Sequence, residues 1–313
     1  MHFSVIIPAR NEEATIDRCV ESVMACAWAA DDFEVLVVDN GSSDRTAMLA
    51  AARGARVLSL PDGTIARLRN YGALEAQGDI LAFLDADCTV PGNWLGEAAR
   101  YIEQGDVVCF GSPPIVPADA TWVQEAWFAV RQKGGELNEV DWLESMNMFV
   151  RRREFLSVGG FNEELVTCED YDLSLRLGRL GRLVADSRIG AVHHGEAASL
   201  GHFFRKELWR GTSNLTGVIA HGVSLREAPS VLLPLVYGLL MLLVPLLLVA
   251  GLLTMNQLLL LTGASLVLAW QAPLLLLAAW KNRRSFCLLR TLQLYLLLNV
   301  YFLARGGSVI LRR

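Results

Sequence analysis

A run of 53 residues, 228–280, contains no Asp, Glu, Lys, Arg or His. A helix crosses a bilayer with about 20 apolar residues, so the run is long enough for two crossings. Polar turn residues stand near its middle, in Thr254-Met255-Asn256-Gln257. We therefore predict a helical hairpin over residues 230–253 and 258–280. A soluble core hairpin is the alternative, and it would need two long helices without a polar face.

The distribution of charge divides the chain at the same place. Residues 228–313 carry seven Lys or Arg and no acid, which leaves 21 basic and 33 acidic residues before them, a net charge of −12. Lys281, Arg283 and Arg284 follow the hairpin at once. Because basic loops stay in the cytoplasm, we expect a multi-pass protein of the cell (inner) membrane with its N-terminal part in the cytoplasm. The acidic N-terminal part argues against nucleic acid as a partner.

A third apolar stretch covers residues 286–304. It is interrupted by Arg290, Gln293 and Asn299, so spanning the membrane and lying in the interface both remain open. The predicted transmembrane region, residues 228–313, thus holds two to three helices. The six cysteines show no Cys-x-x-Cys spacing and are expected to be reduced structural residues.

The N-terminal part alternates short apolar segments with segments of helical spacing. We predict strands at 3–8, 33–38, 56–58, 80–84 and 107–110 with helices between them, and a further strand at 182–192. Strands without polar alternation, joined by helices, form a parallel sheet covered on both faces. The predicted fold class is α/β, a mostly parallel sheet flanked by helices. Ligands of such sheets bind at the carboxyl ends of the strands.

An acidic pair closes one of these strands. Asp85, Ala86 and Asp87 follow the apolar run 80–84. Residues i and i+2 of an extended chain project to the same side, so both carboxylates can converge on one target. Hard oxygen ligands suit Mg²⁺ or Mn²⁺ holding a diphosphate. A polar turn after a buried strand is the alternative interpretation.

A dinucleotide-binding dehydrogenase is the first rival for this pattern. Such a protein needs Gly-x-Gly-x-x-Gly after its first strand so that the backbone can approach a pyrophosphate. Residues 8–13 read Pro-Ala-Arg-Asn-Glu-Glu, without a glycine. The sequence therefore excludes that class.

At these residues the chain resembles the family 2 glycosyltransferases, enzymes of the GT-A fold. The resemblance covers residues 3–211, which we predict as the glycosyltransferase domain, followed by an interfacial linker at 212–227. The matching blocks stand in the family's order: Pro8-Ala9-Arg10-Asn11-Glu12, Val37-Val38-Asp39-Asn40-Gly41-Ser42-Ser43-Asp44, Arg67-Leu68-Arg69-Asn70-Tyr71-Gly72, Leu84-Asp85-Ala86-Asp87, Gly159-Gly160-Phe161-Asn162-Glu163 and Cys168-Glu169-Asp170-Tyr171-Asp172-Leu173.

The resemblance implies a nucleotide site and a divalent metal, Mn²⁺ or Mg²⁺. Asp39 is expected to contact the base edge, and Arg67 or Arg69 to reach the diphosphate unless they lie on a solvated helix face. Asp87, Asp85 and His193 are the expected metal residues, although a histidine is also common in a core or on a surface. The nucleotide-binding residues implied in this way are Pro8, Ala9, Arg10, Glu12, Asp39, Arg67, Arg69, Asn70, Asp85 and Ala86.

The resemblance also implies a catalytic base for the acceptor hydroxyl. Asp170, next to Glu169, is the expected base, and adjacent carboxylates raise each other's proton affinity. The alternative is that these residues are ordinary first-turn acids of a helix. Inversion at the anomeric carbon is implied by the family and not by the spacing.

The expected function is metal-dependent, inverting transfer of a single sugar from a nucleotide-diphosphate sugar to a lipid-linked acceptor. That acceptor would be a polyprenyl-phosphate or a lipid-linked glycan in the assembly of cell-surface polysaccharide or glycolipid. Processive relatives carry Gln-x-x-Arg-Trp, whereas this chain has Trp209-Arg210-Gly211 without a matching Gln. A membrane-bound nucleotidyltransferase and a non-catalytic membrane scaffold with a GT-A-like domain are the alternatives.

Overall fold

The computed structural model describes residues 3–131, 136–212, 228–283 and 287–310. The chain forms two compact units. The first comprises Met1–Ala118 with Gln132–Gly195, and the second Asp119–Arg131 with Glu196–Arg313. The boundary at residue 211 stays a prediction, since the compact units divide the chain elsewhere. Residues 213–227 of the predicted linker lie outside the described residues.

The first unit is built on one large sheet. Its strands are β1 (Phe3–Ala9), β2 (Phe33–Asp39), β3 (Arg56–Ser59), β4 (Ile80–Leu84), β5 (Cys88–Thr89), β6 (Val107–Gly111), β7 (Leu137–Glu139), β8 (Asn147–Arg151), β9 (Arg182–Asp186) and β10 (Val192–His193). Eight of them form the sheet, in the order β3-β2-β1-β4-β8-β6-β9-β7. β1 to β4 are mutually parallel, as are β6 and β9, whereas β8 and β7 run antiparallel to their neighbours. β5 and β10 form a separate antiparallel pair.

Helices cover both faces of this sheet. In chain order, the helices of the two units in the described residues are α1 (Ile16–Met24), α2 (Thr46–Ala52), α3 (Ile65–Glu75), α4 (Trp94–Ala99), α5 (Trp122–Arg131), α6 (Arg152–Ser157), α7 (Glu169–Leu177), α8 (Leu200–Arg210), α9 (Ala228–Leu253), α10 (Gln257–Lys281) and α11 (Leu288–Ile310). One apolar cluster lies between the sheet and α1 and α4, and another between the sheet and α3, α6 and α7. The fully buried strands β1 and β4 lie between two apolar layers, so the predicted mostly parallel α/β fold is confirmed.

Two strand features differ from the sequence prediction. β5, β7 and β8 were not predicted, and β8 inserts between β4 and β6. The predicted strand over 182–192 ends at Asp186, because the Asp186 carboxylate accepts the N–H of Arg188 and turns the chain. The remainder of that segment is a short turn followed by β10. This break places His193 opposite Cys88 rather than in the large sheet.

The second unit contains α5 and α8 to α11. Leu232–Leu253 and Gln257–Lys281 are long and apolar enough to cross a membrane. The Asn256 side chain begins the second of these helices by accepting the N–H groups of Leu258 and Leu259. The predicted hairpin therefore exists as two helices with a short turn, while Arg284 of the predicted basic cluster and the segment 284–286 lie outside the described residues.

The third apolar segment, α11, packs against the half of the hairpin farther from its turn, where Tyr295 Oη also donates to Gln271 near the middle of α10. Its first turn meets the end of α10, where Asn282 Nδ2 donates to Thr291 Oγ1 at 2.9 Å. Further along, Asn299 Oδ1 accepts from Tyr237 Oη at 2.7 Å, near the start of α9. Gly306 then approaches the Pro234 carbonyl, nearer still to that start. A helix running along the hairpin would instead meet residues near its turn.

Candidate active site

The site begins where the parallel strands end. Ala9 at the end of β1 lies beside Asp39 at the end of β2, and β4 lies on the other side of β1. Two of the following loops are joined, since Ser42 Oγ accepts the N–H of Asn11 and Asn11 Oδ1 accepts the N–H of Ser43, both at 2.9 Å. Asn11 has a φ of 55°, a left-handed conformation that Asn tolerates. The carboxyl edge of the sheet therefore carries a fixed polar rim.

Asp39 offers a buried acceptor at this rim. Its side chain is 7% exposed, and Oδ2 accepts the N–H of Ser42 at 3.1 Å. Oδ1 is buried and has no hydrogen-bond partner among the described residues. A buried acceptor without a donor costs about 1–3 kcal/mol, so the atom is suited to an N–H group of a ligand. This observation fits the contact with a base edge that the family resemblance implies.

Three carboxylates converge beside it. Burial raises the pKa of Glu12, and the charges of Asp87 and Asp85 raise it further, which places the three acids close together. His193 Nε2 lies 3.2 Å from Asp87 Oδ2. Ligand atoms of Asp87, Cys88 and His193 all lie within 4.8 Å of one another. Concentrated negative charge with an imidazole nearby fits a divalent cation, so Asp87 and His193 are the residues best placed to hold one.

A buried arginine connects these acids to the start of α7. Arg69 is 1% exposed, and its Nη2 donates to Asp85 at 2.8 Å while Nη1 donates to Glu169 at 2.7 Å. The neighbouring Asn70 fixes the helix by exchanging two hydrogen bonds of 2.8 Å with the Phe161 backbone. Arg67, on the same helix, is exposed. Of the two candidate arginines, only Arg69 lies among the acids of the site.

Asp170 lies in the first turn of α7, next to Glu169. Burial raises the pKa of Asp170 to about 7, with repulsion from Glu169 and Glu144 adding to the shift and Arg69 opposing it. A carboxylate with a pKa near neutrality can accept a proton from a hydroxyl at physiological pH. The side chain is thus electrostatically suited to act as a general base.

The backbone after β10 packs against Asp87. The N–H of His194 donates to the Asp87 carbonyl at 3.0 Å, and His194 Nε2 lies 2.9 Å from Thr89 Oγ1. Gly195 passes so close that a methyl group on its Cα would overlap the Asp87 carboxylate. Sequence reasoning missed Gly195 and Glu144, and a glycine directly after His-His was the one signal available for the first of them.

The remaining predicted site residues occupy simpler positions. Pro8 and Ala9 are the buried last residues of β1, and Arg10 is exposed just beyond them. Ala86 is buried between the two aspartates. These residues line the same edge of the sheet through their backbone positions.

Comparison with known proteins agrees with this geometry. The model of glycosyl transferase family 2 matches residues 4–158. Glycosyltransferase AglE of Haloferax volcanii is 27% identical over 245 residues, which cover 75% of this chain and 80% of AglE. Beta-monoglucosyldiacylglycerol synthase of Synechocystis is 28% identical over 198 residues, 55% of this chain and 39% of that protein.

Solved structures agree on the fold. Mannosyltransferase PcManGT from Pyrobaculum calidifontis, in complex with GDP-Man and Mn²⁺, superposes with a TM-score of 0.62 at 15% identity, covering 99% of this chain and 86% of PcManGT. This likeness supports the GT-A arrangement of the sheet and helices. Taken with the matched motifs and the converging acids, it leads to one conclusion: the protein is a glycosyltransferase of family 2 with a GT-A fold.

Proposed function

We propose that this enzyme transfers a single sugar, with inversion, from a nucleotide-diphosphate sugar to a lipid-linked acceptor at the cytoplasmic side of a membrane. Asp39 and the rim of β1 and β2 would hold the nucleoside, and Asp87, Asp85 and His193 would hold Mn²⁺ or Mg²⁺. Asp170 would act as the catalytic base. The product would serve the assembly of a cell-surface polysaccharide or glycolipid.

The observation that carries the proposal is the double ion pair of Arg69. One guanidinium holds Asp85 of the metal side and Glu169, the residue before Asp170, at 2.8 and 2.7 Å. The acids that would hold the leaving group and the acid that would activate the acceptor are therefore fixed to one another. A nucleophile and a leaving group must be positioned together for a direct displacement.

In the proposed reaction, Asp170 accepts the proton of the acceptor hydroxyl while the acceptor oxygen bonds to the anomeric carbon. The bond from that carbon to the β-phosphate oxygen breaks, and a nucleoside diphosphate leaves. A divalent ion, when bound, offsets the charge that develops on the leaving diphosphate. Arg69 holds Asp85 and Glu169 in place, and the pKa of Asp170 near 7 lets it both take up and release a proton.

Two observations support a lipid-linked acceptor. The second unit holds two helices that are long and apolar enough to cross a membrane. The relative from Synechocystis is named for the synthesis of a glucosyldiacylglycerol, a glycolipid. An enzyme anchored in a bilayer meets an amphiphilic acceptor without extracting it from the membrane.

A binding experiment tests the donor site without an acceptor. The full chain in detergent is heated with UDP, GDP, CDP or dTDP, with and without Mn²⁺. A ligand that binds only the folded state raises the unfolding midpoint, by about 2.7 kcal/mol of added stability at one hundred times Kd. We expect a metal-dependent rise with one nucleotide, lost in Asp87→Asn and kept in Asp31→Asn, an exposed acid of the same unit. Well-folded protein that shows no shift with any nucleotide would contradict the proposal.

Product analysis separates this reaction from nucleotidyl transfer. A glycosyltransferase releases a nucleoside diphosphate, whereas a nucleotidyltransferase releases pyrophosphate. We expect the nucleoside diphosphate, and none from Asp170→Asn. Release of pyrophosphate would overturn the assignment of the reaction.

A further inference from the structure

A thiol lies among the groups best placed to hold the metal. Cys88 directly follows Asp87 and is fully buried in β5, where it pairs with His193 of β10. Its Sγ lies 3.8 Å from Asp87 Oδ1. One ligand atom from each of Asp87, Cys88 and His193 lies within 4.8 Å of the others. The set offers one carboxylate oxygen, one imidazole nitrogen and one sulfur.

This set of atoms differs from what Mg²⁺ and Mn²⁺ prefer. Those ions favour oxygen ligands, whereas sulfur and imidazole favour Zn²⁺ and other thiophilic ions. We propose that Cys88 makes the site bind thiophilic divalent ions, with Zn²⁺ or Cd²⁺ held jointly by Cys88, Asp87 and His193. The inference rests on the proposed function in one respect, namely that Asp87 and His193 hold a divalent ion.

Binding is a ligand exchange without a change of oxidation state. The Cys88 S–H bond breaks, the proton passes to the solvent, and a bond forms between Sγ and the metal. Because Asp87 and His193 are shared, a thiophilic ion and the Mn²⁺ or Mg²⁺ of the proposed reaction exclude one another. Zn²⁺ is therefore a competitor for the donor-site metal, with an affinity that depends on one cysteine.

The other thiols allow a matched test. Cys109 is fully buried in β6, like Cys88 in β5, but it is not part of the metal group. Cys168 is partly exposed and Cys287 is exposed, so both are replaced by Ser to remove accessible thiols. The full chain with these two replacements is the reference protein, and Cys88→Ser and Cys109→Ser are made in it.

The experiment titrates each protein with Cd²⁺ and records the ultraviolet charge-transfer absorption that a sulfur–cadmium bond produces. We expect the reference protein and Cys109→Ser to develop this absorption up to one Cd²⁺ per chain, and excess Mn²⁺ to suppress it. Cys88→Ser should lack it. Competition with a chromophoric chelator should show that the ratio of Zn²⁺ affinity to Mn²⁺ affinity falls by about tenfold or more in Cys88→Ser. Even the loss of a hydrogen-bond partner of a metal ligand lowers metal affinity by about that factor.

Absence of the sulfur–cadmium absorption in the folded reference protein would overturn the inference, as would its persistence in Cys88→Ser. If Cys88→Ser fails to fold, Cys88→Ala and Asp87→Asn replace it, and the reference protein alone still decides whether a thiolate binds. Nucleotide binding that requires Mn²⁺ and Asp87, without the absorption, would contradict the role of Cys88 alone. Metal binding that is independent of Asp87 would contradict both proposals.

Discussion

Gly195 is the residue whose side chain, a single hydrogen, determines where the Asp87 carboxylate can lie. A methyl group at this position would overlap that carboxylate. We expect Gly195→Ala to displace Asp87 and to abolish the metal-dependent rise in the unfolding midpoint with nucleotide. The same substitution at Gly96 is the control, because a methyl group there meets no atom of the described residues within 4 Å. Gly195→Ala protein that binds metal and nucleotide normally would show that the contact has no role.

The raised pKa of Asp170 links activity and stability in opposite directions. The acid has a pKa of about 7 in the folded chain and an ordinary value of 3.8, so the folded state binds more protons between these pH values. Stability therefore falls as pH rises from about 4 to about 7, while the ionised base needed for transfer becomes more abundant. We expect kcat/KM to rise with pH with a midpoint near 7, and Asp170→Asn to be inactive yet more stable at pH 8.

Thermal melting at two pH values checks the expected higher stability of Asp170→Asn. A gain of about 1 kcal/mol corresponds to a Tm higher by about 2–4 °C in a chain of this size. The gain should vanish at pH 4, where the native Asp170 is already protonated. Asp170→Asn protein that is less stable than the native chain at pH 8 would contradict the assigned burial and repulsion.

Individual site residues were predictable to the extent that local geometry fixes them. The sequence predicted that Asp85 and Asp87 converge along an extended backbone, but β4 ends at Leu84 and the N–H of Cys88 donates to the Asp85 carbonyl. The pair therefore lies in a turn, as the alternative interpretation held, and both acids still come near Glu12. Glu144 and Gly195 were not predictable, because each reaches the site through a loop whose path depends on distant pairing. Gly195 follows β10, whose position is set by its pairing with β5, and no local pattern reveals that pairing.

At the scale of elements, α3 connects the end of β4 to the start of α7 through Arg69. Arg69→Met would leave Asp85, Glu169 and Asp170 close together without their cation. Removing one partner of a buried ion pair costs about 3–5 kcal/mol, and repulsion should also raise the pKa of Asp170 further. We expect a lower unfolding midpoint and, if activity remains, a pH–rate midpoint above 7.

The pH–rate midpoint separates the electrostatic effect of Arg69 from a simple loss of packing. Arg67→Met changes an exposed arginine of the same helix and should alter stability by less than about 0.5 kcal/mol. Arg69→Lys keeps the charge but cannot reach both acids as a fork does. An unchanged pH–rate midpoint in Arg69→Met would show that the charge of Arg69 does not act on Asp170.

Elements were predictable where the pattern was long and repetitive. β1, β2 and β4 were recognised as strands because they are mostly apolar without polar alternation, and the loops that follow them carry the motifs. β8 was not predicted because its five residues, which end in Arg151, show no periodicity. Its place between β4 and β6 depends on tertiary strand pairing. The path of α11 was left open by its sequence, and its contacts with Tyr237, Gln271 and Asn282 place it against the half of the hairpin farther from the turn.

At the scale of the whole molecule, the proposed topology makes the turn of the hairpin and the end of the hairpin lie on opposite sides of the membrane. Met255 in the turn is 84% exposed, and Cys287 beyond α10 is also exposed. All test chains carry Cys168→Ser. A membrane-impermeant maleimide added to intact cells should label Met255→Cys in a chain that also carries Cys287→Ser. It should not label Cys287 in a chain that keeps Met255 and Cys287. In inverted vesicles the pattern should reverse.

The same labelling tests the membrane orientation that the basic residues and the two apolar helices imply. The basic residues Lys281 and Arg283 favour the cytoplasm for the end of α10, and two crossings return the chain to the side on which it entered. The acidic first unit and Cys287 must then share that side. Labelling of Met255→Cys and Cys287 from the same side would mean that the hairpin does not cross. Labelling of Cys287 alone from outside would mean that the orientation is opposite, so that the donor site would lack access to cytoplasmic nucleotide sugars.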